Sequence, residues 1–277
     1  MVKKSIKQPL VSVIIATYNS GRTIERCLRS IQDQNYPNLE IIVVDGLSYD
    51  KKEQAKCKKI IKKYAQYFQD GPERSIQRNR GIKEAKGKYT FVIDQDMYLT
   101  AKVVSECVSQ MEKDDLVALL VPEISIGTGY WTKAVALDRY LSVYLETSQN
   151  ECARFFKKED VQKIGGYDPK IVGAEDSDLH HRLSKLGRVA KIKAHINHDE
   201  GQTLFWGRVK KKFYYSKAFR EYLKRYPQLA PQQFSPFKSA YIKHWRYLVK
   251  QPLLTLGMLV LRGAEVFAGL LGILIKR

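Results

Sequence analysis

The chain has 277 residues, 44% hydrophobic and 28% charged, with 48 Lys and Arg against 29 Asp and Glu. That length and composition support a buried core and exclude a disordered chain. Four widely spaced cysteines (Cys27, Cys57, Cys107 and Cys152) with no CxxC pair exclude a disulfide scaffold or a cysteine zinc site, while the net charge of +19 implies an anionic partner: nucleic acid, phosphorylated ligand or acidic lipid.

Residues 1–9 are basic but hold no apolar run of signal-peptide length. Residues 11–16 (VSVIIA) form a short apolar, β-branched run that predicts a buried parallel strand. A turn at Tyr18-Asn19-Ser20-Gly21 follows, with Asn19 or Ser20 able to cap a helix. In that helix Ile24, Cys27, Leu28 and Ile31 share one face. A second strand at 39–44 ends at Asp45-Gly46. Helices at 51–63 and 73–85 follow, and a third strand at 89–93 ends at Asp94-Gln95-Asp96. Strand alternating with helix predicts βαβ units and a mainly parallel sheet, with ligands outside the carboxyl ends of its strands. Thr17, Tyr18 and Asn19, then Asp45, then Asp94 and Asp96 are the polar groups delivered there. Beyond residues 116–122 the pattern is mixed. It predicts a helix near 132–144, a short strand near 153–156, a helix from Glu175 and a strand at 189–194. One basic, aromatic helix at 204–226 and a turn-rich boundary at 227–236 come next, then 241–250 and the apolar 253–275.

Asp94-Gln95-Asp96 is the sharpest feature. Two carboxylates two apart in a strand point the same way and repel, and a divalent cation between them and a diphosphate relieves that repulsion. A pair of solvated turn aspartates is the alternative. Taken in order, residues 11–19, 43–50 (VVDGLSYD), 74–87 (RSIQRNRGIKEAKG) and 94–96, then Gly165-Gly166-Tyr167-Asp168 and Gly173-Ala174-Glu175-Asp176, resemble the family 2 glycosyltransferases over roughly 9–226. The resemblance implies an α/β GT-A fold, a Rossmann-like, mainly parallel sheet flanked by helices. It also implies metal-dependent, inverting transfer of one sugar from a nucleoside diphosphate sugar (UDP- or GDP-sugar) to an acceptor hydroxyl. Thr17 and Tyr18 would then pack on base and ribose beside Asn19, and Asp45 would accept from the base edge. Arg74 and Arg78 would face base and phosphates, and Asp94 would touch ribose or sugar. Asp96 would hold Mn²⁺ or Mg²⁺, and Asp176 would be the general base. His198 falls where the family often places a histidine near metal or diphosphate; His195 is a weaker candidate. The residues alone leave plainer roles open: Asp45 as a turn cap, Arg74 and Arg78 as a solvated helix face, and Glu175 and Asp176 as acids favouring a helix dipole. Residues 202–206 nearly match the QxxRW motif of processive synthases, but Phe205 replaces Arg, which favours single-sugar transfer.

The charge excess is unevenly placed. Residues 201–277 carry 15 Lys or Arg against Glu221 and Glu265 alone, whereas the first 200 carry 33 basic and 27 acidic residues. Over 208–225 the basic residues alternate with aromatics, a pattern suited to nucleic acid or a membrane interface. Residues 253–275 decide for the membrane: only Arg262 and Glu265 are charged, and they stand i, i+3 on one face with Thr255, Gly269 and Gly272. A buried packing helix is the alternative. The expectation is a catalytic body at 1–226 and a helical, membrane-associating extension at 227–277, with the nucleotide site independent of the tail. The protein would sit on the cytoplasmic face, peripherally or through one C-terminal segment. Its acceptor would be lipid-linked, in glycan or cell-envelope polysaccharide synthesis, with no nucleic-acid partner. A non-catalytic membrane-bound scaffold that kept the fold is the rival, and the presence of both Asp96 and Asp176 argues against it.

Overall fold

The computed structural model describes residues 8–48, 50–146, 151–229 and 238–275. Along the chain run β1 (Val11–Thr17), α1 (Ile24–Gln32), β2 (Leu39–Asp45), α2 (Lys51–Ile61), β3 (Gln66–Gln69), α3 (Arg74–Glu84) and β4 (Tyr89–Asp94). Then come β5 (Met97–Leu99), α4 (Val103–Lys113), β6 (Ala118–Leu120), β7 (Glu123–Thr128), α5 (Tyr130–Arg139), a π turn (Tyr140–Tyr144), β8 (Ala153–Lys157) and α6 (Lys158–Lys163). The last elements are α7 (Glu175–Ser184), β9 (Val189–Lys191), β10 (Ile196–Gln202), α8 (Phe205–Ala218), α9 (Arg220–Arg225), α10 (Ser239–Lys243), α11 (Trp245–Lys250) and α12 (Pro252–Leu274).

The main sheet has the order β3-β2-β1-β4-β8-β6-β9. β1 lies parallel between β2 and β4, and β8 is antiparallel to both β4 and β6. Both faces of β1 are covered, so it is buried at every position. Val11, Val13 and Ile15 face α1 and α4, joined by the predicted Ile24, Cys27, Leu28 and Ile31. Ile14 on the other face joins Ile42, Val92, Phe156 and Leu179. α3 approaches β1 so closely that a Cβ on Gly81 would lie 2.3 Å from Ile14 Cγ2. A small second sheet, β5-β10-β7, sits beyond the C-terminal end of β4.

Several expectations change. β3, β5 and β10 were not foreseen: each is short or polar, and pairing with distant strands, not periodicity, makes them strands. The predicted single helix at 204–226 is two, α8 and α9. Neither Asn19 nor Ser20 caps α1 through its side chain. The Ser20 carbonyl accepts from the N–H groups of Thr23 and Ile24, and Asn19 adopts φ +49°. The predicted boundary at 227–236 lies mostly outside the described residues.

α12 packs on α8 and α5. Its inward face carries Gly257, Met258, Leu261, Glu265, Ala268, Gly269 and Gly272. Gly272 permits close approach, since a Cβ there would lie 2.6 Å from the Phe213 carbonyl oxygen. The outward face is apolar: Leu253, Leu256, Val260, Phe267, Leu270 and Leu274 are exposed. The helix is long and apolar enough to cross a membrane by length and composition.

Phe155 on β8 is fully buried, its ring 5.2 Å from Tyr89 and 5.7 Å from Phe91. Phe155→Ala is expected to cost about 3–5 kcal/mol. Urea unfolding reads this directly, and a loss below about 1 kcal/mol would show that the sheet does not depend on this aromatic contact.

Candidate active site

The C-terminal end of β4 and the N-terminal end of α7 converge on one side chain of α3. Arg78 is fully buried. Its Nη1 donates to Asp176 Oδ1 at 2.6 Å and to Glu175 Oε1 at 3.3 Å, and its Nη2 donates to Asp94 Oδ1 at 2.8 Å. Arg74, one turn earlier on α3, reaches the same Glu175 oxygen at 2.8 Å while staying 44% exposed. Burial would raise Asp94, but Arg78, then Arg154 and Arg74, outweigh it and hold the carboxyl well below the usual carboxylate range. Glu175 is pushed the other way, up, by burial and by the adjoining Asp176. Asp178, on the same helix, is bound by Arg182 at 2.6 Å and by the Tyr226 hydroxyl at 2.9 Å, so it braces α7.

Asp94 and Asp96 do not act as a same-facing pair. β4 ends at Asp94 and the chain turns through Gln95 and Asp96 into β5. Gln95 clasps the main chain of Tyr18: the Tyr18 N–H donates to its Oε1 at 2.8 Å and its Nε2 donates to the Tyr18 carbonyl at 3.1 Å. Asp94 therefore turns to the arginines, and Asp96 turns to His198, whose Nε2 lies 3.5 Å from Asp96 Oδ1. His198 is part of β10, and its Nδ1 lies 3.0 Å from Glu123 Oε2. Burial alone would lower the imidazole, but Asp96 and Glu123 raise it to about 9. Asp96 and His198 fit a Mn²⁺ or Mg²⁺ ion: one carboxylate and one imidazole with a carboxylate behind it, and no cluster of three such ligands among the described residues. Such ions complete their shells with substrate phosphates and water.

Glu123 extends the network. Its Oε1 accepts from Arg154 at 2.7 Å and its Oε2 from Arg139 at 3.2 Å. Arg139 reaches Glu200 at 2.5 Å, Glu200 lies 3.5 Å from Arg208 on α8, and Arg208 donates to Glu265 on α12 at 2.6 Å. Alternating charges thus run from α7 to the C-terminal helix.

Two cavities share a wall here. A cleft of about 320 Å³ is lined by Thr17, Tyr18, Arg74, Asp94, Asp96 and His198, and also by Gln77, Gln95, Lys211 and Tyr215. An adjoining cavity of about 230 Å³ is lined by Asp176, Glu151, Cys152 and Arg154, with Arg74, Gly173 and Glu175 common to both. Of the expected site residues, Asn19, Asp45, Arg78 and Asp176 do not line the cleft. The Asp45 carboxylate already accepts from Ser48 Oγ at 2.8 Å, Gln54 Nε2 at 2.8 Å and the Tyr67 hydroxyl at 2.9 Å. The Asn19 N–H donates to Ser48 Oγ at 2.9 Å. His195 lies outside both cavities, and its carbonyl accepts from Thr100.

The sequence reading missed Gln95, Glu123, Arg139, Arg154, Lys211 and Tyr215. Gln95 stood inside the motif, between two louder acids. Lys211 and Tyr215 belonged to the basic, aromatic stripe assigned to the membrane, so the cleft takes part of its wall from α8. Arg154 and Glu123 carried no local signal, because β8 and β7 reach the site only through long-range pairing.

Residues 12–165 match glycosyl transferase family 2, more than half of the chain. An uncharacterized glycosyltransferase of Rickettsia prowazekii, RP339, is 27% identical over 200 residues, 68% of this chain and 63% of that protein. The putative teichuronic acid biosynthesis glycosyltransferase TuaG of Bacillus subtilis is 33% identical over 97 residues, 32% of this chain and 36% of that protein. The chain thus spans less than two thirds of these relatives' lengths. The solved mannosyltransferase PcManGT of Pyrobaculum calidifontis, in complex with GDP-Man and Mn²⁺, matches with a TM-score of 0.61 and 18% identity, covering 96% of this chain and 88% of that one. That likeness gives the fold, of the GT-A type.

Arg78→Met leaves Asp94, Glu175 and Asp176 without their shared cation, and the expected cost near pH 7.5 is about 3–5 kcal/mol. In the parent, Asp94 lies low, so its contribution is present above the ordinary carboxylate range and is lost only as pH falls through its depressed value. In the variant, burial of Asp94 is opposed by Arg154, Arg74 and His198 without Arg78, and a carboxyl that titrates higher contributes stability that is lost as pH rises. The deficit should therefore shrink from pH 7.5 to pH 5. A deficit equal at both pH values, read by urea unfolding, would contradict this account.

Proposed function

The chain belongs to glycosyl transferase family 2, and on that premise we propose that it is an inverting glycosyltransferase moving one sugar from a UDP- or GDP-sugar to an acceptor hydroxyl. The observation that carries this reading is the shared wall between two cavities. Asp96 and His198 stand in one, Asp176 stands in the other, and Arg74, Gly173 and Glu175 line both.

The nucleotide occupies the larger cleft. Tyr18, 47% exposed at the rim and fixed through its main chain by Gln95, packs on the base, with Thr17 beneath it. Asp94, held ionised by its arginines, accepts from ribose or sugar hydroxyls. Asp96 and His198 would hold a divalent cation, which would supply positive charge against that growing on the departing diphosphate. The acceptor hydroxyl enters from the smaller cavity. Its oxygen forms the new bond to the anomeric carbon from the face opposite the diphosphate, its proton passes to Asp176, and the bond to the nucleoside diphosphate breaks. Arg78, 2.6 Å from Asp176, fixes the orientation of that carboxylate.

The outward apolar face of α12 suits a bilayer, and the basic residues of 201–277 suit anionic head groups. Both support a place on the cytoplasmic face of a membrane and a lipid-linked acceptor. TuaG's named role in teichuronic acid biosynthesis is in keeping with a part in polysaccharide synthesis.

Two outcomes are expected. In a screen of nucleoside diphosphate sugars with Mn²⁺, Asp176→Asn should bind the donor as the parent does and lose about 10²–10⁴-fold in transfer. Lost donor affinity with normal transfer per bound donor would make Asp176 a structural cap. Separately, Leu256→Glu with Phe267→Glu, both on the exposed face, should abolish flotation with anionic vesicles, since charges at membrane depth cost about 2.5–3.5 kcal/mol each. Nucleotide binding should survive, and continued flotation would mean that α12 is not the anchor.

A further inference from the structure

A diphosphate entering the larger cleft meets a wall rich in acids, Glu73, Asp94, Asp96 and Glu175 among them. The arginines nearby are already engaged: Arg74 with Glu175, Arg78 with three carboxylates, and Arg154 with Glu123. Lys211 lines the same cleft from α8, is exposed, and makes no salt bridge among the described residues. We propose that Lys211 is the cation that grips the donor's diphosphate. The assignment rests on the donor reading given above and adds a residue to it.

The backbone that carries Lys211 is fixed in advance. Tyr215, one turn on and therefore on the same face, packs against Gly173, where a Cβ would lie 3.1 Å from Tyr215 Cδ1. On the neighbouring face Arg208 is tied to Glu265, and Gly272 lets α12 sit against the Phe213 carbonyl. A flexible ammonium on a rigid helix suits two phosphates whose oxygens share charge, because it acts as a point charge and needs no planar match. A lipid phosphate offers the same chemistry. Lys211 is assigned to the donor because it lines the cleft of Thr17, Tyr18 and Asp96, not the cavity of Asp176.

The test is calorimetric titration of the full chain, with Mn²⁺, by UDP, GDP, UMP and GMP, for the parent, Lys211→Ala and Lys211→Arg. Lys211→Ala should weaken the preferred diphosphate about tenfold or more while changing the matching monophosphate less than about twofold. Lys211→Arg should recover most of the loss, and flotation of Lys211→Ala on phosphatidylglycerol vesicles should match the parent. Unchanged diphosphate affinity, or equal losses for diphosphate and monophosphate, would overturn the assignment. So would lost flotation with diphosphate affinity intact, which would give Lys211 to the lipid. A parent that binds no nucleoside diphosphate would overturn the donor reading itself, and this role of Lys211 with it.

Discussion

A guanidinium with no exposure to water has to be surrounded by acceptors, and Arg78 is the point from which the rest of this site is arranged. Three carboxylates take up its two terminal nitrogens, one from the end of β4 and two from the start of α7, while its Nε has no hydrogen-bond partner among the described residues. Sequence places those acids some eighty residues apart, and the arginine brings them within one side chain's reach. Replacing such a buried cluster with apolar groups is often neutral or stabilising, so stability alone gives little reason for it. Its effect here is geometric. It pins the strand end that leads into Gln95 and Asp96 to the helix end that carries Asp176.

From that hub, charge alternates outward. Arg154 links Asp94 to Glu123, Glu123 backs His198, and Arg139, Glu200 and Arg208 continue to Glu265. Glu265 on the inward face of α12 is therefore held by α8, and most of the helix's leucines face outward. One helix, α8, both lines the cleft and supports the apolar surface. The extension is thereby joined to the site through packed helices and paired charges, a closer relation than a free tail beside an independent body.

Much of this was legible in the sequence. β1, β2 and β4 announced themselves as short apolar runs rich in β-branched residues, and α1 as four apolar residues at helical spacing that are buried together. Thr17, Tyr18, Asp94 and Asp96 were placed at the strand-end cleft because each lies at the end of such a strand, and Arg74 through the family resemblance. What escaped was set by pairing across the chain. His198 was named through the family resemblance, but the strand that holds it was not, because β10 is polar and gains its pairing from β5 and β7. Arg154 sits in β8, whose antiparallel partners β4 and β6 are both distant in the chain. Asp45 read as a free acceptor because no local pattern reveals that Gln54 and Tyr67 turn back to it.

The central claim is that Asp96 and His198 hold the cation against a nucleoside diphosphate in the cleft under Tyr18. Crystals grown with Mn²⁺ and UDP or GDP test it through the anomalous signal of the metal. The account predicts one strong peak bonded to the Asp96 carboxylate and His198 Nε2, with the diphosphate on its open side and the base beside Tyr18. A metal peak at Asp94, or a nucleotide bound with its phosphates away from Asp96, would contradict it.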